Sequence, residues 1–294
     1  MIQDFKYLVP KTVKDVLTWL AQYGEEAKVI AGGQSLLVLM KQGLFSPRYL
    51  IDIKGIAGLD HIKFDEKKGL KIGSLTSHRA IESSPVIRNG FAVLAQMERG
   101  LASIQVRNCG TIGGNLCHAD PAGDPAPPLI ALRAMAKIAG PGGERSLPLE
   151  EFFQDYYETA LQHDEILTDI LVPKPAPRTG TAYTKFALMA GDHPIVGVAV
   201  SLTLGSRNGV CDDARIVLGA VAPVPMRAQK AENVLIGKQL DDKVIEEAAQ
   251  AASQESRPTS DVHGSEEYRK ELVRLLVTRV AKEAIEKAKG AQAR

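Results

Sequence analysis

Apolar residues first recur at helical spacing: Val13, Val16, Leu17 and Leu20 line one face of a predicted helix. Thr12, with Asp15 three residues on, opens that helix, and Tyr23-Gly24 closes it. A short apolar strand, Lys28 to Ala31, then runs into Gly32-Gly33, and Ser35 to Met40 begins a second apolar segment, helical or extended. Leu50 to Ile53 reads as another strand. Past Gly58 the texture changes to short alternating strands, clearest at Leu70 to Leu75, followed by a helix predicted from about Pro85 to Gly100. A proline-rich stretch, Asp120 to Pro128, leads into a helix predicted over Pro125 to Ala136, because the first N–H groups of a helix have no partner to lose.

Pro173 to Gly180 carries three prolines, which cannot donate to a sheet and hold the chain extended. It divides the chain into residues 1–176 and 177–294, and the change near Gly58 splits the first part into about 1–57 and 58–176. Beyond the prolines come three strand-like runs, Ala182 to Met189, Ile195 to Leu204 and Ala214 to Val221, then helices over Asp241 to Ser253 and Ser265 to Ala288. Strands first and helices last predict an α+β unit built on a three-stranded sheet.

Charge narrows the function. Thirty-six Lys and Arg stand against 35 Asp and Glu, so no net field draws the chain to nucleic acid or an anionic membrane. The longest apolar stretch, Ile195 to Leu204, is about half the ~20 residues a membrane span needs. With neither a basic nor an apolar leader at its start, the chain is expected in the cytoplasm. Its three cysteines, Cys109, Cys117 and Cys211, are one short of the four thiolates an all-cysteine iron–sulfur cluster takes. No pair among Cys109, Cys117, His118, Asp120 and Asp124 has a chelating spacing, so no metal site is expected.

The candidate chemistry lies in two glycine-rich stretches, Ala31-Gly-Gly-Gln-Ser-Leu36 and Gly110-Thr-Ile-Gly-Gly-Asn115. Paired glycines reach backbone angles closed to other residues and can present consecutive N–H groups to a phosphate. Neither stretch has the spacing of a Rossmann dinucleotide loop or a P-loop. Two such nests could converge on one pyrophosphate, with Ser35, Thr111 and Asn115 as side-chain donors; each alone could equally be a tight turn. On this reading the N–H of Gly114 faces the phosphate, and the position tolerates no side chain.

Taken with Leu50-Ile-Asp-Ile53, Arg107-Asn-Cys-Gly-Thr-Ile-Gly-Gly-Asn115 and Ala119-Asp-Pro-Ala-Gly-Asp124, the first stretch resembles the FAD-binding medium subunit of the molybdenum hydroxylases, the family of carbon monoxide dehydrogenase and xanthine dehydrogenase-type enzymes. Tyr157-Glu-Thr-Ala-Leu161, Gly191-Asp-His193, Leu218 to Arg227 and Asp261 to Arg269 extend the resemblance over essentially the whole chain. It implies an α+β protein: a two-subdomain FAD-binding domain of the p-cresol methylhydroxylase type, then a smaller C-terminal domain that completes the flavin pocket. Carried over by motif, Gly32, Gly33, Gln34, Ser35 and Leu36 with Thr111, Ile112, Gly113, Gly114 and Asn115 would wrap the pyrophosphate and nearby ribityl oxygens. Asp124 would accept from a flavin-side hydroxyl, or cap the Pro125 helix. Lys185 and the Gly191-Asp-His193 turn are carried over to the same site; some members place an aromatic residue beside the isoalloxazine in this region, and here the candidate is His193, unless that turn is simply solvated.

The resemblance further implies a division of labour. A large molybdopterin subunit would oxidise the substrate, and a small subunit with two [2Fe–2S] clusters would pass electrons to non-covalent FAD on this chain. FAD would deliver them to an external acceptor, the complex being a dimer of heterotrimers. Two alternatives stand beside this: a stand-alone flavin oxidase or reductase with Asp192 and His193 as its acid–base candidates, and a subunit that binds a nucleotide only to assemble partners.

Overall fold

The computed structural model describes residues 2–205 and 209–290. Its first unit is a three-stranded parallel sheet in which Tyr49–Asp52 lies between Lys6–Leu8 and Ala27–Ile30. The helix Val13–Tyr23 makes the crossover, opened by the capping box of Thr12 and Asp15 and burying Val16 and Leu20. The second unit is a five-stranded antiparallel sheet, ordered Ile62–Asp65, Gly69–Gly73, Ile166–Val172, Met135–Gly140 and Gly143–Pro148. Short helices between residues 78 and 131 cover it, and they enclose the largest core around Ile87, Leu94, Ile112, Leu116 and Phe152.

The C-terminal sheet pairs Thr179–Phe186, Val196–Leu204 and Cys211–Gly219 antiparallel, and Met226–Arg227 adds a short fourth strand to the three expected. Side chains alternate across a sheet, which explains why Ile195 to Leu204 is apolar almost throughout. Ala182, Val198, Val200, Ile216 and Leu218 pack with the helices Asp242–Glu255 and Glu266–Gly290. Tyr183, Ala199 and Val217, on the other face, join the core of the second unit. The terminal helix is tied down by Arg269, buried, which donates to Asp261 and to the Ile195 carbonyl at 2.7 Å each.

Gly180 shows how close that helix lies. A Cβ there would overlap the Ala284 carbonyl oxygen and come within 2.4 Å of where the Ala288 nitrogen sits. Both are backbone atoms that cannot rotate away, so Gly180→Ala is expected to cost about 1–3 kcal/mol, the usual range for overpacking. A denaturant midpoint unchanged from the wild type would show the helix free to slide.

Two expected helices are shorter. The predicted Pro85 to Gly100 helix is two, Pro85–Gly90 and Ala92–Gly100, broken at Phe91, whose φ of −140° is not helical and whose ring is buried. The predicted Pro125 to Ala136 helix runs only from Ala126 to Ala131; Arg133 turns left-handed at φ 61°, and Met135 begins a strand of the second sheet. Periodicity does not see that ladder pairing. Among the described residues no helix is long and apolar enough to cross a membrane, and no group of three His, Cys, Asp or Glu side chains could hold a metal ion.

Candidate cofactor-binding site

The first glycine loop leaves the parallel sheet at the carboxyl end of Ala27–Ile30, where open parallel sheets place their ligands. Gly33 takes φ +70°, turning the chain back toward the short helix Leu36–Lys41. Gly32 has ordinary angles and is glycine for another reason: a Cβ there would overlap the Cys109 carbonyl oxygen and lie 2.7 Å from Gly110 Cα. The two loops therefore meet backbone to backbone. Leu37 onward bonds back to Gly33 and Ser35, whereas the N–H groups of Gly32, Gly33, Gln34, Ser35 and Leu36 have no acceptor among the described residues. The Ser35 hydroxyl makes no cap bond, and Gln34 Nε2 donates to the Gly32 carbonyl at 3.1 Å.

The second stretch is built differently from the expected nest. Gly113 and Gly114 lie inside the helix Ile112–His118, and neither has a positive φ. The N–H groups are spent internally: Ile112 on Thr76 O at 3.0 Å, Gly113 on Ser74 O at 2.9 Å, Gly114 on Thr111 Oγ1 at 3.1 Å and Asn115 on Thr111 O at 3.0 Å. Gly113 is glycine because a Cβ would lie within 2.9 Å of three Ser74 atoms. Ile112 is sealed in the core and Thr111 is buried, whereas Gly114 is exposed, facing Ala31 across the cleft. The Asn115 amide, without a partner among the described residues, lies beside Gly123.

Asp124, one residue further, closes the cleft against the C-terminal sheet. It does not cap the following helix. Its carboxylate accepts from Tyr183 Oη at 2.5 Å and Lys185 Nζ at 2.7 Å, and Lys185 also donates to the Asp192 carbonyl at 2.7 Å. Burial pushes the Asp124 carboxyl above its ordinary value, against the pull of Lys185 and the Tyr183 hydroxyl. His193 is exposed, its Nδ1 3.4 Å from the Ala122 carbonyl. Tyr183 is absent from the motif-based set, although its place two residues before Lys185 on one strand puts both side chains on one face. Arg107 anchors the second stretch from outside, bonding Glu82 and the carbonyls of Leu101 and Ala102 at 2.7–3.1 Å.

Five N–H groups, a hydroxyl and an amide, all without partners among the described residues, beside a largely buried lysine–aspartate pair form a donor set suited to a pyrophosphate. Such a donor set fits a nucleotide cofactor. Residues 3–175 match the family described as "FAD binding domain in molybdopterin dehydrogenase", and residues 181–284 match "CO dehydrogenase flavoprotein C-terminal domain". The chain is 35% identical to the 6-hydroxypseudooxynicotine dehydrogenase complex subunit alpha of Paenarthrobacter nicotinovorans, over 97% of this chain and 96% of that one. It is 35% identical to the carbon monoxide dehydrogenase medium chain of Hydrogenophaga pseudoflava, over 94% and 95%. A crystal structure of carbon monoxide dehydrogenase from Hydrogenophaga pseudoflava, lacking the Mo-pyranopterin moiety, superposes with a TM-score of 0.94 at 36% identity, covering 98% of this chain and 99% of that chain. The chain belongs to the FAD-binding medium subunits of the molybdenum hydroxylases, and is an oxidoreductase subunit.

Proposed function

We propose that this chain carries non-covalent FAD and is the outlet of an electron-transfer chain. It takes electrons from a small subunit with two [2Fe–2S] clusters, which a large molybdopterin subunit reduces, and releases them to an external acceptor such as a quinone, a nicotinamide or oxygen. The observation that carries the reading is the row of unpaired N–H groups from Gly32 to Leu36, held against Gly110 at a distance only glycine allows. These groups bind the pyrophosphate, with Ser35 and Asn115 adding side-chain donors. Gln34 braces the loop through the Gly32 carbonyl, and Gly114 leaves room between the loops. Lys185 and Asp124, locked to each other, hold the C-terminal sheet over the cleft, with His193 at its rim. FAD supplies the redox chemistry when bound.

The stand-alone enzyme is disfavoured by how its acid–base candidates are used. The Asp192 carboxylate accepts from the Met189 N–H at 3.2 Å and its carbonyl from Lys185, and His193 lies against Ala122. Non-covalent binding is favoured at Cys117, whose thiol burial pushes up to about 12 and so out of reach as a nucleophile. We place the domain boundary at 176/177, and the chain in a cytoplasmic dimer of heterotrimers. Acid precipitation of the purified protein is expected to release all its flavin as FAD, and purification to bring down an iron–sulfur polypeptide and a large molybdopterin polypeptide. FMN, flavin retained in the pellet, or unaided turnover of an aldehyde or purine would each refute this.

A further inference from the structure

Directly beneath the cleft lies a buried polar pair. His78, 3% exposed, opens the helix His78–Ser83, and Glu98, fully buried, sits in the helix Ala92–Gly100. His78 Nδ1 lies 2.9 and 3.1 Å from the two Glu98 oxygens, and no other group among the described residues bonds that carboxylate. Burying a carboxyl is costly, and two apolar residues would fill the space without that cost. Burial does push the Glu98 carboxyl up, against the pull of His78.

The ring's other edge shows what the pair does. Cδ2 is on the opposite side of the imidazole from Nδ1, and it lies 3.1 Å from where a Cβ on Gly110 would be. The His78 N–H also donates to the Gly110 carbonyl at 3.1 Å. Gly110 in turn bears on Gly32, and its free side faces Gln34 Cγ at 3.6 Å from the same Cβ position. Glu98, His78, Gly110 and Gly32 thus form a continuous column ending at the unpaired N–H groups. The carboxylate fixes which ring edge faces Gly110, since Nδ1 is the ring atom it pairs with.

We propose that His78 and Glu98 are a positioning pair for the flavin site: the carboxylate holds the imidazole edge-on beneath Gly110, and the imidazole sets the height of Gly110 against the first glycine loop. The inference rests on Gly32 to Leu36 binding the pyrophosphate. Binding constellations lose affinity when their support shifts by about 0.5 Å.

The test uses the full-length apoprotein, FAD titrated by quenching of flavin fluorescence, and the thermal midpoint of each apoprotein. His78→Leu with Glu98→Leu removes both polar groups at once and orphans neither, so its apoprotein should melt near the wild type. It should bind FAD at least about tenfold more weakly. Glu98→Gln keeps both an oxygen and an N–H, so one of them pairs with Nδ1 in either tautomer, and it should bind FAD as the wild type does. Should the double variant fail to fold, His78→Phe with Glu98→Leu restores the ring volume and should show the same loss. Wild-type affinity in either folded double variant, or a loss in Glu98→Gln equal to theirs, overturns the proposal. A wild-type apoprotein that takes up no FAD refutes the loop assignment itself.

Discussion

Gly32→Ala is expected to strip FAD from the protein while leaving most of it folded. The added carbon meets the Cys109 carbonyl and Gly110 Cα, and neither can rotate out of the way. The loops must part. An overpacking cost of about 1–3 kcal/mol falling on the bound geometry is a ~5- to 150-fold loss of affinity. Gly114→Ala is the informative control. From the motif alone Gly114 looks the more sensitive position, its N–H aimed at the phosphate; in the structure that N–H is bonded to Thr111 Oγ1, and a Cβ would press on the same hydroxyl at 2.8 Å. Gly114→Ala should therefore cost less than Gly32→Ala in a flavin-to-protein ratio measured after gel filtration. The reverse order would mean that the second stretch, not the first, carries the phosphates.

Lys185→Met should be the most destabilising single change at the cleft. It leaves the Asp124 carboxyl without its cation in a site where the pair's side chains are only 13% and 7% exposed, and breaking such a pair costs about 3–5 kcal/mol. Combining it with Asp124→Asn should recover most of the loss, because the amide oxygen still accepts from Tyr183. The pH dependence has a definite sign. A carboxyl whose pKa is raised on folding favours the native state below its ordinary value and loses that contribution as pH rises through the raised one. Losing the ammonium raises Asp124 further, so the deficit of Lys185→Met should be largest at neutral pH and shrink as the pH falls toward the carboxylate range. Urea titrations of the three proteins at several pH values would show it. A deficit independent of pH would locate the damage in packing instead.

Both predictions turn on contacts that the sequence displays unevenly. The helix Val13–Tyr23 and the C-terminal strands and helices are legible because each obeys one local rule, a cap or a period. The five-stranded sheet is not, since Gly73 pairs with Asp169 and no local pattern joins positions so far apart. The Gly32 to Leu36 loop is visible as a motif, but its reason for glycine is not: Gly32 is dictated by Cys109 and Gly110 rather than by its own angles. The second motif is legible as important and misleading as to why, its N–H groups being consumed by Thr76, Ser74 and Thr111. His78 and Glu98 carry no sequence signal, because a histidine and a glutamate in separate amphipathic helices look like solvated residues until tertiary packing buries them.

The order of strands in the five-stranded sheet also bears on how the protein is made. Ile166–Val172 lies between Gly69–Gly73 and Met135–Gly140, so the middle strand is synthesised after the strands on both its sides. While residues up to 140 have left the ribosome and 166–172 have not, Gly69–Gly73 and Met135–Gly140 each present an unpaired edge, and nothing yet lies between them. Pairing across such sequence separation is slow, and open edges invite pairing with other chains. Nascent chains of this length carry both open edges at once, and the cleft between the glycine loops and the C-terminal sheet cannot close until the middle strand has arrived.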